Sequence, residues 1–285
     1  MPDPGLRGEV MAHRFRILVN GQPSARLRVD DRGLTYGDGV FRTVHVRAGR
    51  PMWWDAHMAK LAADAERLAI PPPSPELWER EVAILLADAP ADCVLKLILT
   101  RGPGMRGYRA AARPTPTRVL TTSAWPAHIE AVAARGARLH LCRLRLSEQP
   151  SLAGIKHLNR LENVLAAMEW TDPTIDEGLL LDAAGRVIGG VSSNVFIYRN
   201  NTLFTPRLDR CGVTGVTRER LMDAAGHHLK LDVQQTDISL DQLLEADEVM
   251  LTNSLIKVWH VARLDGRTWE SPRVSGMLRT LLDDA

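Results

Sequence analysis

Lysine is scarce in this chain. Of 36 basic residues five are lysines, Lys60, Lys96, Lys156, Lys230 and Lys257, and arginine supplies the rest. Cysteine is scarcer still: Cys93, Cys142 and Cys211 are odd in number and far apart. That pattern excludes a disulfide framework and a cysteine metal site, and it predicts a reducing compartment. Charge of one sign is missing too. A net charge of +2, with no long basic run, gives no electrostatic footprint for nucleic acid. No stretch is long and apolar enough to span a membrane. The opening "MPDPGLRGEV" lacks the apolar centre of a signal peptide, and Met11 offers an alternative start. There is no internal repeat, no Walker loop and no Ser/His/Asp signature. The nine histidines form one close pair, His227-His228, read as exposed near a helix end, so no metal site is expected. These absences predict a soluble cytoplasmic protein without nucleic-acid, membrane or metal partners.

What is present suits a folded enzyme. At 285 residues, 45% hydrophobic and 25% charged, the chain can bury a real core and favours two domains. "RFRILVNGQPSARLRV" reads as a hairpin about an Asn-Gly turn, and "VFRTVHVRAGRPMWW" as another about Ala48-Gly49. Asp55 is expected to cap a helix with Met58, Leu61, Ala62, Ala65, Leu68 and Ala69 on its apolar stripe. Ser74 followed by Pro75 starts the next helix. Strands are expected in "DCVLKLILT" and "RVLTTSAW", with the glycine-rich "RGPGMRGYR" between them. "TSAWPAHIEA" reads as a connector. The expected division is a small N-terminal domain, 14–126, and a larger C-terminal domain, 127–285.

The second half opens with a strand, "ARLHLCRLRL", then the loop carrying Lys156, then a helix with Leu158, Leu161, Val164, Leu165 and Met168 on one face. Three short strands are expected through "GLLLDAAGRVIGGVSSNVFIYRNNTLFTP". "GVTG" opens a helix near 215–229, "DEVMLTNS" is a strand, and a last helix closes the chain. Short antiparallel strands followed by single helices predict α+β in both halves.

Three stretches could carry chemistry, each with a plainer reading beside it. Lys156 is either a surface lysine with its stem on apolar neighbours or an amine kept unprotonated in a dry pocket, able to form an imine with an aldehyde. Arginine cannot do the latter, because its guanidinium stays protonated. "GVTG" is either an ordinary helix start or an anion cradle. "RGPGMRGYR" is either a solvated tip or a carboxylate clamp, since arginine forks bind carboxylates bidentately. A lysine, a phosphate cradle and a carboxylate clamp are together the parts of a pyridoxal phosphate site.

In order along the chain, "YGDGVFRT", "RGPGMRGY", "LAGIKHLNRLENVL", "SSNVF" and "CGVTGVTR" resemble the fold-type IV pyridoxal phosphate enzymes. The form "LAGIKHLNRLE" is most similar to the aminodeoxychorismate lyases, which make 4-aminobenzoate for folate synthesis. The resemblance runs from about residue 14 to the end. It implies a two-domain α+β architecture like that of the D-amino-acid and branched-chain aminotransferases, with the cofactor between the domains, and a homodimer. It implies pyridoxal 5'-phosphate as cofactor, Lys156 as Schiff-base and proton-transfer residue, and cofactor contacts from Lys60, Ser192, Val216, Thr217, Asn253 and Ser254. Arg106, Tyr108 and Phe41 fall where the substrate, 4-amino-4-deoxychorismate, is bound.

The departures are specific. The resembling enzymes carry a glutamate for the pyridine nitrogen, in a V-x-E pattern, where this chain has Gly189 in "RVIGGVSSN". Their phosphate-gripping arginine is Lys60, and the acid of their "GVFET" is Arg42. A carboxylate at the ring nitrogen keeps it protonated and electron-accepting. Its loss weakens a transaminase more than a lyase whose product becomes aromatic. The sequence therefore favours the lyase. A D-amino-acid or branched-chain aminotransferase, or a degenerate homologue that has abandoned the cofactor, are the alternatives.

Overall fold

The computed structural model describes residues 16–270 and 272–283, so Met11 and the expected start at residue 14 lie outside the described residues. The chain forms two compact units, one of residues up to Pro126 with His157–Asn159, the other of Ala127–Lys156 with the chain from Arg160 onward.

In the first unit the elements are β1 (Ile17–Val19), β2 (Gln22–Pro23), α1 (Arg32–Tyr36), β3 (Gly39–Arg47), β4 (Arg50–Pro51), α2 (Trp54–Arg67), α3 (Pro75–Leu86), β5 (Cys93–Thr100) and β6 (Thr117–Ala124). The strands form one antiparallel sheet in the order β2-β1-β6-β5-β3-β4. Both expected hairpins form, with Asn20, Gly21, Ala48 and Gly49 all at positive φ, as two-residue turns between right-twisted strands demand. The first is short: β2 stops at Pro23, which has no N–H to continue the ladder. Ser74 accepts from the Leu77 amide and Pro75 begins α3. Asp55 is not a cap. Trp53 holds that position, at φ 52°, and Asp55 lies in the first turn of α2, where its charge suits the helix dipole.

The second unit contains α4 (His128–Arg135), β7 (Ala137–Leu146), α5 (Leu161–Ala167), β8 (Glu177–Asp182), β9 (Val187–Gly190), β10 (Asn194–Arg199), β11 (Thr202–Pro206), α6 (Val216–His228), β12 (Asp232–Thr236), α7 (Leu240–Leu244), β13 (Glu248–Asn253), β14 (Lys257–Leu264), β15 (Arg267–Thr268) and α8 (Val274–Asp283). Its sheet runs β12-β11-β10-β13-β14-β7-β8-β9, with β15 against β14. Three corrections follow. The connector region contains α4, the expected three-strand meander is four strands, and the pairs β7–β8, β14–β7 and β11–β12 are parallel.

The core of this unit places the chemistry-bearing turns. Cys142, Leu146, Ala166, Leu180, Ile188, Leu208 and Cys211 form one buried cluster, which joins β7, α5, β8 and β9 to the segment leading into α6. All three cysteines are buried, two of them in this cluster. Burial pushes the Cys142 thiol up to about 12 and the Cys211 thiol to about 11, which leaves both inert at neutral pH. α8 packs over the central strands β13 and β14: Glu248 accepts from the amides of Arg273, Val274 and Ser275 at its start, and Arg279 donates to the carbonyls of Ile256 and Val258.

Candidate active site around Lys156

Backbone and amide hydrogen bonds tie four turns of the second unit together. The segment before Lys156 pairs with the one before α6: Gly154 bridges Val213 in parallel, and the Thr214 amide and hydroxyl both donate to the Gly154 carbonyl, at 3.1 and 2.9 Å. Asn194 at the start of β10 donates to the Val213 carbonyl at 2.7 Å. Asn253 donates to the Ser192 carbonyl at 3.2 Å and accepts from the amides of Leu255 and Ile256. The Lys156 segment, the α6 start, the 190–194 turn and the 253–257 turn are therefore fixed to one another. Lys156 itself is half-buried. Immediately after it, His157–Asn159 pack with the first unit: His157 bridges Val40, the Leu158 amide donates to Gly39, and Asn159 donates to Gly37.

The start of α6 fits an anion. The first-turn amides of a helix have no partners within it, and its dipole favours negative charge there. Thr217 is 1% exposed, and its hydroxyl has no hydrogen-bond partner among the described residues; a phosphate oxygen would satisfy it. A Cβ on the capping Gly215 would lie 2.4 Å from Asn194 Oδ1, so glycine lets Asn194 pack against the helix start. Beneath the helix, buried Arg218 donates to Thr205, Pro206 and Gln235, which anchors the cradle from behind. Val216 is buried beside Thr217, and Ser254 is half-buried in the 253–257 turn.

Gly189 is closed as well as empty. A Cβ built there would lie 2.9 Å from the Ser193 carbonyl oxygen, a backbone atom that cannot swing aside. Gly189→Glu should therefore cost about 1–3 kcal/mol, the range for overpacking, and should not improve cofactor binding. Denaturant midpoints and a cofactor titration check this; an equally stable variant that binds more tightly would show that the turn yields freely.

In the first unit, Arg42 and Lys60 meet a shared acid. Both donate to the Asp64 carboxylate, and Arg42 also donates to the carbonyls of Phe41 at 2.9 Å and Lys60 at 2.7 Å. Asp64 and Arg42 are almost fully buried, with side chains 1% and 3% exposed. Burial alone would raise the Asp64 carboxyl, but the two cations hold it below its ordinary value. Burial lowers the Lys60 ammonium, and Asp64 offsets part of that. The Phe41 ring lies 5.3 Å from Lys96 Nζ. Arg106 and Tyr108 stand elsewhere in this unit, on an exposed loop held by Arg32. The Arg32 guanidinium donates to the carbonyls of Gly107 and Tyr108, both at 2.9 Å, and pairs with Asp38, while the Gly107 amide donates to the Tyr36 hydroxyl.

Sequence reasoning did not single out Asp64, Arg32, Asn194 or Glu177. For Asp64 a signal existed: it lies four residues after Lys60 on a helix, the spacing of an ion pair. For Glu177 the signal was an acid opening the otherwise apolar run "EGLLLD".

The model of the class IV aminotransferases matches residues 39–264. The chain belongs to this family. Its members are pyridoxal-phosphate-dependent, and the architecture above is that of the fold-type IV enzymes, as the sequence resemblance implied. Within the family, the aminodeoxychorismate lyase of Vibrio harveyi is 35% identical over 244 residues, covering 84% of this chain and 88% of that one. The crystal structure of 4-amino-4-deoxychorismate lyase from Pseudomonas aeruginosa superposes with a TM-score of 0.89 at 44% identity, covering 94% of this chain and 98% of that one. The D-alanine aminotransferase of Bacillus licheniformis is 26% identical over 269 residues, covering 89% and 90%. No helix among the described residues is long and apolar enough to cross a membrane, and no cluster of metal-binding side chains is found among them.

Proposed function

We propose that this chain is a pyridoxal-phosphate-dependent lyase that converts 4-amino-4-deoxychorismate to 4-aminobenzoate and pyruvate, a step of folate synthesis in the cytoplasm. The observation that carries it is Lys156, in "LAGIKHLNRLE", hydrogen-bonded through its segment to a helix start with an unfilled buried hydroxyl. The lyase relatives at 35% and 44% identity select this reaction within the family.

Pyridoxal phosphate supplies an aldehyde that captures an amine and a ring that draws electrons from the bond being broken. The chain supplies the rest. The α6 amides at Val216 and Thr217, with the Thr217 hydroxyl, would hold the phosphate, and Asn253 and Ser254 would add contacts from the next turn. Lys60 adds a positive charge without a bidentate fork. Lys156 Nζ, when unprotonated, would provide the attachment point and then take the proton from C4 of the substrate as the C3 substituent leaves as enolpyruvate, whose methylene carbon picks up a proton to give pyruvate. Arg106 and Tyr108, on a glycine-rich loop able to adjust its backbone, would orient a substrate carboxylate, and Phe41 would be a separate substrate contact.

Purified protein given pyridoxal phosphate should turn 4-amino-4-deoxychorismate into 4-aminobenzoate, followed by product fluorescence, and Arg106→Ala should raise its KM. Transfer of an amino group from a D- or branched-chain amino acid to 2-oxoglutarate, without lyase turnover, would replace this reading with an aminotransferase.

The working unit is a homodimer. α5 leaves Leu161, Val164, Leu165 and Met168 exposed, with Leu161 at 75% and Met168 at 71%, an apolar face that a second copy would cover. Sedimentation velocity should give about twice the chain mass of 31.6 kDa; a monomer at micromolar concentration would contradict it.

A further inference from the structure

Glu177 is a buried acid bonded to the 190–194 turn, and nothing above uses it. It opens β8 and is 5% exposed. Its carboxylate accepts from the Ser192 hydroxyl at 2.5 Å, the Ser193 hydroxyl at 3.2 Å, the Ser192 amide at 3.2 Å and the Gly178 amide at 3.1 Å. No cation is among these partners. Burial pushes the carboxyl above its ordinary value, against the pull of the four donors. A buried acid without a counter-charge is costly. A positive group arriving from outside the chain would relieve that cost.

The surroundings say where such a group would meet it. The space a side chain at Gly190 would use is taken, with a Cβ there falling 2.1 Å from Ser193 Oγ and 3.1 Å from Glu177 Cγ. The turn 190–193 has thus given up its own side chains at 189 and 190, and Glu177 reaches into it from the neighbouring strand. Ser192 is exposed on the outer side of that turn. Its proton is committed to Glu177, so its oxygen lone pairs remain free to accept. Hydrogen bonds in such a chain polarise one another, and the carboxylate makes the serine oxygen a better acceptor.

We propose that Glu177, through the Ser192 hydroxyl, supplies the counter-charge for the ring nitrogen of pyridoxal phosphate that residue 189 does not. This rests on the cofactor reading above. The charge would come from β8, the strand beside β9, through the Ser192 hydroxyl. A merely structural Glu177 would fasten the turn equally for any ligand of the same shape, so the ring nitrogen itself is the test.

The experiment compares binding of pyridoxal phosphate and of its deaza analogue, in which a C–H replaces the ring nitrogen, to the full chain by fluorescence quenching. Glu177→Gln should weaken pyridoxal phosphate binding by about 10- to 100-fold, the factor for a hydrogen bond to a charged group, and leave the analogue's affinity within about twofold. Equal losses for both ligands, or no loss for either, overturn the proposal. So does a parent protein that binds both ligands equally well. If Glu177→Gln does not fold, Ser192→Ala takes the same comparison, with a selective loss supporting the relay and an unselective one or none overturning it. A parent that binds neither ligand overturns the pyridoxal phosphate reading, and this inference with it.

Discussion

Lys156→Arg should lose about 10²- to 10⁴-fold in kcat, the range for removing a proton-transfer group, although it keeps the charge and most of the stem. The guanidinium does not deprotonate, so it can neither attack an aldehyde nor take the C4 proton. The variant should fold. The bonds from the Thr214 amide and hydroxyl to the Gly154 carbonyl, which fix this segment, are kept in it. Borohydride reduction of the cofactor-loaded parent, followed by peptide mapping, should label Lys156 and find no label in the variant. Label on Lys60 instead, or turnover unchanged in Lys156→Arg, would remove Lys156 from the chemistry.

The second large effect is on stability. Asp64→Ala should cost about 3–5 kcal/mol, because it leaves the buried Arg42 guanidinium without its counter-ion. Lys60, 22% exposed, can turn partly toward water, whereas Arg42 cannot. Replacing Arg42 and Asp64 together by leucine should recover most of the loss, since the penalty comes from an unpaired charge and not from a missing attraction. A loss below about 1 kcal/mol for Asp64→Ala, the level of an exposed pair, would show that Arg42 finds other compensation. The pH dependence has a definite sign. The folded carboxyl of Asp64 lies below its ordinary value of 3.8, so its contribution is present above that value and lost as pH falls through the folded one. Lys60 acts at the alkaline end. Its folded ammonium lies below the ordinary 10.5, so the penalty on its charged form is relieved as pH rises through that lowered value. Urea midpoints across pH, for the parent and for Asp64→Ala, should differ least in acid.

The cluster also gives a physical account of two departures from the family pattern. Arg42 stands where the resembling enzymes have an acid, and Lys60 where they have an arginine. A buried and a half-buried cation so close would repel, and Asp64, one turn beyond Lys60, supplies the missing negative charge.

Local chemistry was legible in the sequence. The Asn20-Gly21 and Ala48-Gly49 turns and the Ser74-Pro75 helix start are decided by backbone sterics and capping within a few residues, and all three are found where the sequence put them. The motif order around Lys156 also sufficed to identify the family, because the chemistry demands particular residue types in a particular sequence. The parallel pairing of β7 with β8 and β14 was not legible, since side-chain alternation is the same in either direction and the partners are distant in the chain. Nor was the exposure of α5: its apolar stripe reads the same whether a core or a second chain covers it. The partners of Arg42, Lys60 and Glu177 belong to the same class. Asp64 meets Arg42 across 22 residues and Ser192 meets Glu177 across 15. Burial then turns each of those acids from an ordinary surface charge into a group that must be paired. Sequence determined which side chains were available; only the fold decided which of them lost their water, and hence which charges had to find each other.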